Sequence, residues 1–413
     1  MRNAILFSTA LAVLGCSDDT AVTASDAGDE AEAGLVCDGS GVTKGPWVLA
    51  VTDTQALVRW ETCRSGTSGD VTLAPEGDAG APLVFHASES ETDLTVEHDA
   101  IFNPNAPPDY PGAYFMHEAP LTGLAPGACY TYALGADATR SGRFCAAKPS
   151  GAPLRFVAIG DTNIGIGPMA GDVLSHVLPM DPDFTVHLGD IQYYDSSFDT
   201  WQLWFQVMQP ALSHGAFFPA IGNHELETPD EYQDYTLRFF HGAGFDGNDE
   251  YYDFENAGVH FFVLDTQDST DGTSAQANWF AQRIAEVEQE PGYRMSIVYF
   301  HKPFVTCGDT GDDPVARSFF EPLFLLHKVP LVLQAHMHGY ERFDFGNITY
   351  VTTAGGGGAI GNPDANLQRD YCAQRVASGK FFHATVIDVD TTVKGTVVDD
   401  HGTVQDSFEL TIP

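Results

Sequence analysis

Seven residues of types that bind metal ions succeed one another along the chain: Asp161, Asp190, Tyr193, Asn223, His301, His336 and His338. Carboxylate, imidazole and amide oxygen together suit borderline ions such as zinc, manganese and iron. A phenolate from Tyr193 adds a preference for a hard, highly charged ion, which makes iron(III) attractive at one position. Two ions about 3.5–4 Å apart clamp an in-line displacement, one activating water and the other holding an oxygen of the group attacked. Each residue alone is a weak signal, because Gly-Asp pairs are common and a lone histidine at a strand end is more often structural. The weight lies in five short pieces in one order, each at the same place relative to an apolar run.

Those runs are the elements that must position the ligands. Leu154 to Ile159 ends in Gly160-Asp161, and Phe184 to Leu188 ends in Gly189-Asp190. A helix is expected from Phe198 to Gln209. Phe217 to Ile221 leads into Gly222-Asn223-His224-Glu225, Ser296 to Phe300 into His301, and Leu331 to Leu333 into His336. Strands alternating with helices indicate an α/β domain, and the carboxyl ends of such strands form the ligand site. A glycine ahead of Asp161, Asp190 and Asn223 lets the chain turn sharply there. In His336-Met337-His338, strand alternation would send both rings to one face, where they could serve two adjacent ions.

At these residues the sequence resembles the purple acid phosphatases, within the larger metallophosphoesterase group. The pattern GDxG, GDxxY, GNH[DE], xxxH, GHxH appears as Gly160-Asp161-Thr162-Asn163, Gly189-Asp190-Ile191-Gln192-Tyr193, Gly222-Asn223-His224-Glu225, Val298-Tyr299-Phe300-His301 and Ala335-His336-Met337-His338. The likeness extends to Gly339-Tyr340-Glu341-Arg342, to the run Gly355 to Gly358, and to the segment in front. It implies iron(III) held by Asp161, Asp190, Tyr193 and His338. A divalent ion (zinc, manganese or iron) would be held by Asp190, Asn223, His301 and His336, with Asp190 bridging. Asp190 and His224 would be the catalytic groups, and Asn223 and His224 would meet the substrate phosphate. The implied reaction is phosphomonoester hydrolysis, with hydroxide from the metal centre attacking phosphorus directly. Two positions depart from the pattern: Asn163 replaces the last glycine of the first motif, and Ala335 the first glycine of the last. The plant enzymes' histidine pair after the fourth motif is Thr306-Cys307-Gly308-Asp309 here, so no leaving-group acid carries over, and Asp309 reads as part of a solvated acidic loop with Asp312 and Asp313. The run Gly355 to Gly358 is read about equally as a plain turn and as a shaper of the site.

At 413 residues the chain exceeds what one core usually serves, so two folded domains are expected. From Gly45 to Lys148 short β-type runs alternate with Gly, Pro and Asp, which suggests a β-sandwich. Leu121 to Gly127 resembles the turn before a late strand of fibronectin type III-like domains. The expected organisation is a signal peptide over 1–16, an acidic tether over 17–37, a fibronectin type III-like sandwich over 38–150, and the catalytic domain over 151–413. The fold class is therefore α/β: a metallophosphoesterase β-sandwich flanked by helices, preceded by an all-β domain.

Arg2, the apolar run Ala4 to Leu14 and Gly15-Cys16 read as an export signal. Leu11 to Cys16 looks like a bacterial lipobox, with Cys16 as the lipidated residue, so membrane contact is expected through that anchor alone, at the cell envelope. The remaining six cysteines are even in number, and fifteen pairings are open. Neighbouring strand-like runs favour Cys129 with Cys145, and keeping bridges within domains favours Cys37 with Cys63 and Cys307 with Cys372. Nineteen basic against 57 acidic residues give a net charge of −38, which excludes nucleic acid as a partner. His187 is expected in the core, His214, His241 and His260 in structural roles, and Tyr194 on the face opposite Tyr193. The rival functions are a phosphodiesterase or nucleotidase of the same superfamily and a surface binding lipoprotein without catalysis.

Overall fold

The computed structural model describes residues 37, 39–67, 69–77, 81–93, 112–193, 200–227, 232, 234–244, 248–267 and 270–413. The expected signal, lipobox and nearly all of the tether lie outside the described residues, as does Tyr194.

Among the described residues eight strands form the N-terminal segment: β1 Val42–Leu49, β2 Gln55–Thr62, β3 Asp70–Pro75, β4 Leu83–His86, β5 Ser88–Asp93, β6 Ala113–Thr122, β7 Cys129–Leu134 and β8 Ser141–Cys145. Thirteen more follow: β9 Leu154–Ile159, β10 Phe184–His187, β11 Ala216–Pro219, β12 Tyr252–Asn256, β13 Val259–Leu264, β14 Met295–Phe300, β15 Leu331–Gln334, β16 Tyr340–Asp344, β17 Thr349–Thr353, β18 Arg375–Gly379, β19 His383–Val389, β20 Thr392–Asp399 and β21 Val404–Thr411. The larger sheet runs β21-β20-β19-β9-β10-β11-β1-β2-β6-β5, and a seven-stranded sheet runs β12-β13-β14-β15-β17-β16-β18. A four-stranded sheet, β4-β3-β7-β8, completes the N-terminal segment.

Strand alternation explains why the central strands are apolar without interruption. Phe261 and Val263 of β13, Ile297 and Tyr299 of β14, and Leu331 and Leu333 of β15 face the core between the two large sheets. Their neighbours Phe262, Leu264, Val298, Phe300 and Val332 face a second core, with Phe280, Phe320 and Phe324. Period-two alternation with both faces covered reads as one continuous hydrophobic run. Helices Ala275–Val287 and Pro314–Leu326 supply the cover on that side. Between the sheets, Phe156 of β9 and Phe184 of β10 meet Phe261 edge-on, at centroid distances of 5.2 and 5.4 Å. Phe218 of β11 stacks on Phe254 of β12 at 3.8 Å.

The larger sheet passes from the N-terminal segment into the α/β part without a break. β1 pairs in parallel with β11 at Val48 and Ala216, and Trp47 packs on Phe205 at 4.8 Å. A buried ionic cluster reinforces this junction: Glu61 of β2 lies 2.8 Å from both Lys44 and Arg238. The three disulfides pair Cys37 with Cys63, Cys129 with Cys145 and Cys307 with Cys372, the arrangement favoured from the sequence. The helix expected over 198–209 is observed at Thr200–Leu212.

Candidate metal centre

Parallel strands β9, β10 and β11 of one sheet, and β14 and β15 of the other, end on the same side of the molecule, and their carboxyl-end loops converge there. Three of these loops carry a non-glycine residue in the left-handed region: Asp161 at φ +59°, Asp190 at +51° and His336 at +68°. Such backbone costs about 1–3 kcal/mol per residue and persists where the surroundings over-determine it. Here the crowding is explicit. A Cβ on Gly222 would lie 2.3 Å from Asp190 N, so only glycine lets these two loops touch.

The side chains meet in two overlapping groups, Asp190 with His301 and His336, and Asp161 with Asp190 and His338; within each group the candidate ligand atoms lie within 4.8 Å of one another. Asp190 belongs to both. Asp190 Oδ2 is 3.1 Å from His301 Nε2 and 3.4 Å from the Tyr193 hydroxyl. The same hydroxyl lies 3.3 Å from Asp161 Oδ1 and 3.2 Å from His338 Nε2. Asn223 Oδ1 and His336 Nδ1 stand 3.2 and 3.1 Å from His301 Nε2. All seven residues named from the sequence are therefore gathered here.

The backbone fixes the histidine rings. His301 Nδ1 lies 2.9 Å from the Leu188 carbonyl, and His338 Nδ1 lies 2.9 Å from the Ala359 carbonyl. A carbonyl can only accept, so each Nδ1 carries the proton and each Nε2 lone pair is aimed inward. Inward-facing lone pairs then confront carboxylate, amide and imidazole acceptors, an arrangement that calls for a cation at the centre. In the metal-free protein protons answer that need. Burial opposes charge on His301, but Asp190 outweighs it and raises the ring to about 9. Burial likewise opposes charge on His338, while the hydrogen bond to Asp161 and its charge lift it to about 9. Burial and the neighbouring His301 push His336 down to about 4. Tyr193 is driven well above its ordinary value by burial and then by the charges of Asp161 and Asp190.

His224 begins a 3-10 turn, His224–Leu226, at the edge of the group. Its Nε2 is 3.8 Å from Asp190 Oδ2, and its ring centroid is 3.9 Å from that of Tyr193. Burial lowers its affinity for a proton, but Asp190 and Glu227 raise it overall.

Glu225 was not singled out from the sequence, although it stands inside the third motif. Fully buried, it accepts hydrogen bonds from the backbone N–H of Asp190 at 2.9 Å, Ile191 at 2.7 Å and Gly222 at 2.7 Å. One carboxylate thus joins the loop that carries Asp190 to the loop that carries Asn223. Only the tertiary approach of β10 and β11 reveals this.

One expectation changes, and one that the sequence left open is narrowed. His336-Met337-His338 is not strand: β15 ends at Gln334, and the three residues form a bend with His336 in the left-handed region. Both rings still face the site: His336 Nδ1 stands against His301, and the Ala359 carbonyl orients His338. The run Gly355 to Gly358 shapes the site: Gly356 N donates to the Gly160 carbonyl and Gly358 N to the Asp161 carbonyl, at 2.9 and 2.8 Å. A Cβ on Gly358 would lie 2.6 Å from the His338 ring. Asp309 is exposed but accepts from Asn362 N at 2.7 Å, and Asp313 caps helix Pro314–Leu326. The acidic loop is therefore tied down at both points.

His187 is a core histidine, its Nε2 2.9 Å from the Thr162 hydroxyl. His214, His241 and His260 pair with Asp181, Asp249 and Glu290. Asn163 accepts from Gly165 N through its side chain, and buried Ala335 donates its N–H to the His301 carbonyl. Neither departure from the motif removes a candidate ligand.

Residues 154–340 match the family described as calcineurin-like phosphoesterase. Purple acid phosphatase 22 of Arabidopsis thaliana is 28% identical over 204 residues, which is 47% of this chain and 46% of that protein. Purple acid phosphatase 18 of the same plant is 30% identical over 207 residues, with the same shares of each chain. The chain thus spans about half the length of these relatives. Among solved structures, a purple acid phosphatase from yellow lupin (Lupinus luteus) seeds superimposes with a TM-score of 0.74 at 18% identity, covering 89% of this chain and 74% of that one. This chain therefore carries a calcineurin-like phosphoesterase domain, and its homologues include the purple acid phosphatases.

Proposed function

We propose that this protein is an exported phosphomonoesterase working at a dinuclear metal centre. One observation carries the reading: two donor groups share a single buried carboxylate, Asp190. In this reading Asp161, Asp190, Tyr193 and His338 hold one ion, and Asp190, Asn223, His301 and His336 hold the other. Ions bound there supply concentrated positive charge to the phosphoryl group and the water that attacks it. The residues themselves do the rest. His301 and His338 give up their inward protons on ligation and stay oriented by the Leu188 and Ala359 carbonyls. Asn223 and His224 present polar atoms to the phosphate, and His224 stabilises charge on its non-bridging oxygens. Burial of the ligands excludes bulk water and strengthens each of these interactions.

Iron(III) suits the first position, because burial and the neighbouring carboxylates oppose ionisation of Tyr193 and an ion of high charge density best offsets that. The second position suits zinc, manganese or iron. The three disulfides support an exporting compartment, and an N-terminal lipid anchor at the cell envelope belongs to the same reading.

Hydrolysis of p-nitrophenyl phosphate against its bis-ester, from acid to mildly alkaline pH, tests the reaction class. Faster cleavage of the monoester, peaking in acid, is expected. A preference for the diester would move the assignment to a phosphodiesterase, and inactivity at full metal occupancy would move it to a binding protein. Tyr193→Phe tests the first ion: the iron-loaded wild type should absorb in the visible, and the variant should lose that band. A band that survives the substitution would remove Tyr193 from the ligand set.

A further inference from the structure

The turn after Asn223 carries two glutamates, and the structure gives them opposite environments. Glu225 points inward and is consumed by three backbone N–H groups. Glu227 points the other way. Residues three apart in a 3-10 turn eclipse one another, so His-x-x-Glu at positions 224 to 227 sets the second carboxylate beside the His224 ring. Glu227 Oε1 lies 2.8 Å from His224 Nδ1, an ion-pair contact in which the ring N–H is not aimed straight at the oxygen.

The Glu227 side chain is only 13% exposed, and its Oε2 is buried without a hydrogen-bond partner among the described residues. No lysine, arginine or backbone N–H meets this carboxylate among those residues. A partly buried carboxylate with one oxygen unmet is costly. Stability of the turn does not account for it, since Glu225 already ties the turn to its neighbours. What Glu227 does contact is a ring whose other nitrogen, Nε2, faces Asp190 across 3.8 Å.

We propose that Glu227 is a positioning residue that holds His224 with Nδ1 toward the carboxylate and Nε2 toward the substrate phosphate. This rests on the phosphatase reading of the site. Two surfaces fix the imidazole: the Tyr193 ring packs against it at 3.9 Å, and Glu227 sets its rotation. Without Glu227 the half-buried ring would be free to turn, and a phosphate contact made in a fraction of the molecules is weakened by that fraction. The contribution is to phosphate recognition and not to metal retention, since the contact found for Glu227 among the described residues is to His224, which is not one of the seven candidate ligands.

The test uses the full-length, metal-loaded protein with Glu227→Ala, Glu227→Gln, His224→Ala and the double variant His224→Ala/Glu227→Ala. Metal content, kcat and KM for p-nitrophenyl phosphate, and affinity for inorganic phosphate are measured. Glu227→Ala should keep its metal and lose about tenfold to a hundredfold in kcat/KM, with weaker phosphate binding. Glu227→Gln, which can still accept from Nδ1, should recover most of that loss. In the His224→Ala background, removing Glu227 should cost nothing further. A Glu227→Ala protein with wild-type kinetics would overturn the inference. So would equal losses with and without His224, or a loss traceable to missing metal. An inactive wild type with full metal would instead overturn the phosphatase reading, and this inference with it.

Discussion

Asp190→Ala is expected to lower phosphoester hydrolysis by about a thousandfold or more, because it disables both candidate metal-binding groups in one step. No other candidate ligand has that reach. His338 and Tyr193 belong to one group, His301, His336 and Asn223 to the other, and only Asp190 to both. Its Oδ1 also accepts the His224 N–H at 2.9 Å, so the substitution loosens the turn that carries His224 as well. Metal analysis should find about two ions per wild-type chain and under one in the variant, whereas His338→Ala should keep the second ion. Circular dichroism on the same samples checks that the fold survives. An Asp190→Ala protein that retained both ions and full turnover would remove the shared carboxylate from the mechanism.

The second large effect belongs to Glu225. Its removal leaves three buried N–H groups facing an empty space, and an unpaired buried donor costs about 1–3 kcal/mol. Glu225→Ala should therefore lose both stability and metal. Glu225→Gln keeps the volume but turns an amide NH2 toward donors, so it should be weakened too. A pH dependence distinguishes the carboxyl from a simple space-filler. In the metal-free protein, burial and then the charge of Asp190 push Glu225 up to about 7, from an ordinary value of 4.5. A carboxyl whose folded value is raised contributes stability that is complete below the unfolded value and is lost as pH rises through the folded one. The advantage of the metal-free wild type over Glu225→Gln should consequently shrink as pH rises from 4.5 toward 7. Urea unfolding of both proteins across that range would show it, and a gap widening toward neutral pH would contradict the assignment.

The candidate ligands were legible as a group because each follows a buried strand, and buried strands announce themselves as apolar runs. Leu154–Ile159 before Asp161 and Met295–Phe300 before His301 need no tertiary information. The disulfide partners were favoured on similarly local grounds: Cys129 and Cys145 lie on adjacent strands, paired directly across the ladder. What stayed hidden depends on approach between distant segments. Glu225 looks like one more acidic residue until β10 and β11 are laid side by side. Gly355 to Gly358 reads equally as a plain turn and as a shaper of the site until β17 delivers it against Gly160 and Asp161. His336 to His338 reads as strand because alternation of apolar and polar residues is the same in a bend. The join at β1 and β11 was also beyond reach, since a single parallel register pair leaves no periodic trace in either segment.

That join limits how the molecule can be divided. A cut near residue 150 looks natural in the sequence, yet it would strip β1 from the edge of β11 and unpair the backbone at Ala216. It would also bare the aromatic surface of Phe205 and Phe239, on which Trp47 rests. An exposed apolar strand edge is a template for adhesion to another copy. The N-terminal strands thus act as a sealing flange for the catalytic half, and inheritance or engineering of either half alone would carry a solubility penalty that the joined chain avoids.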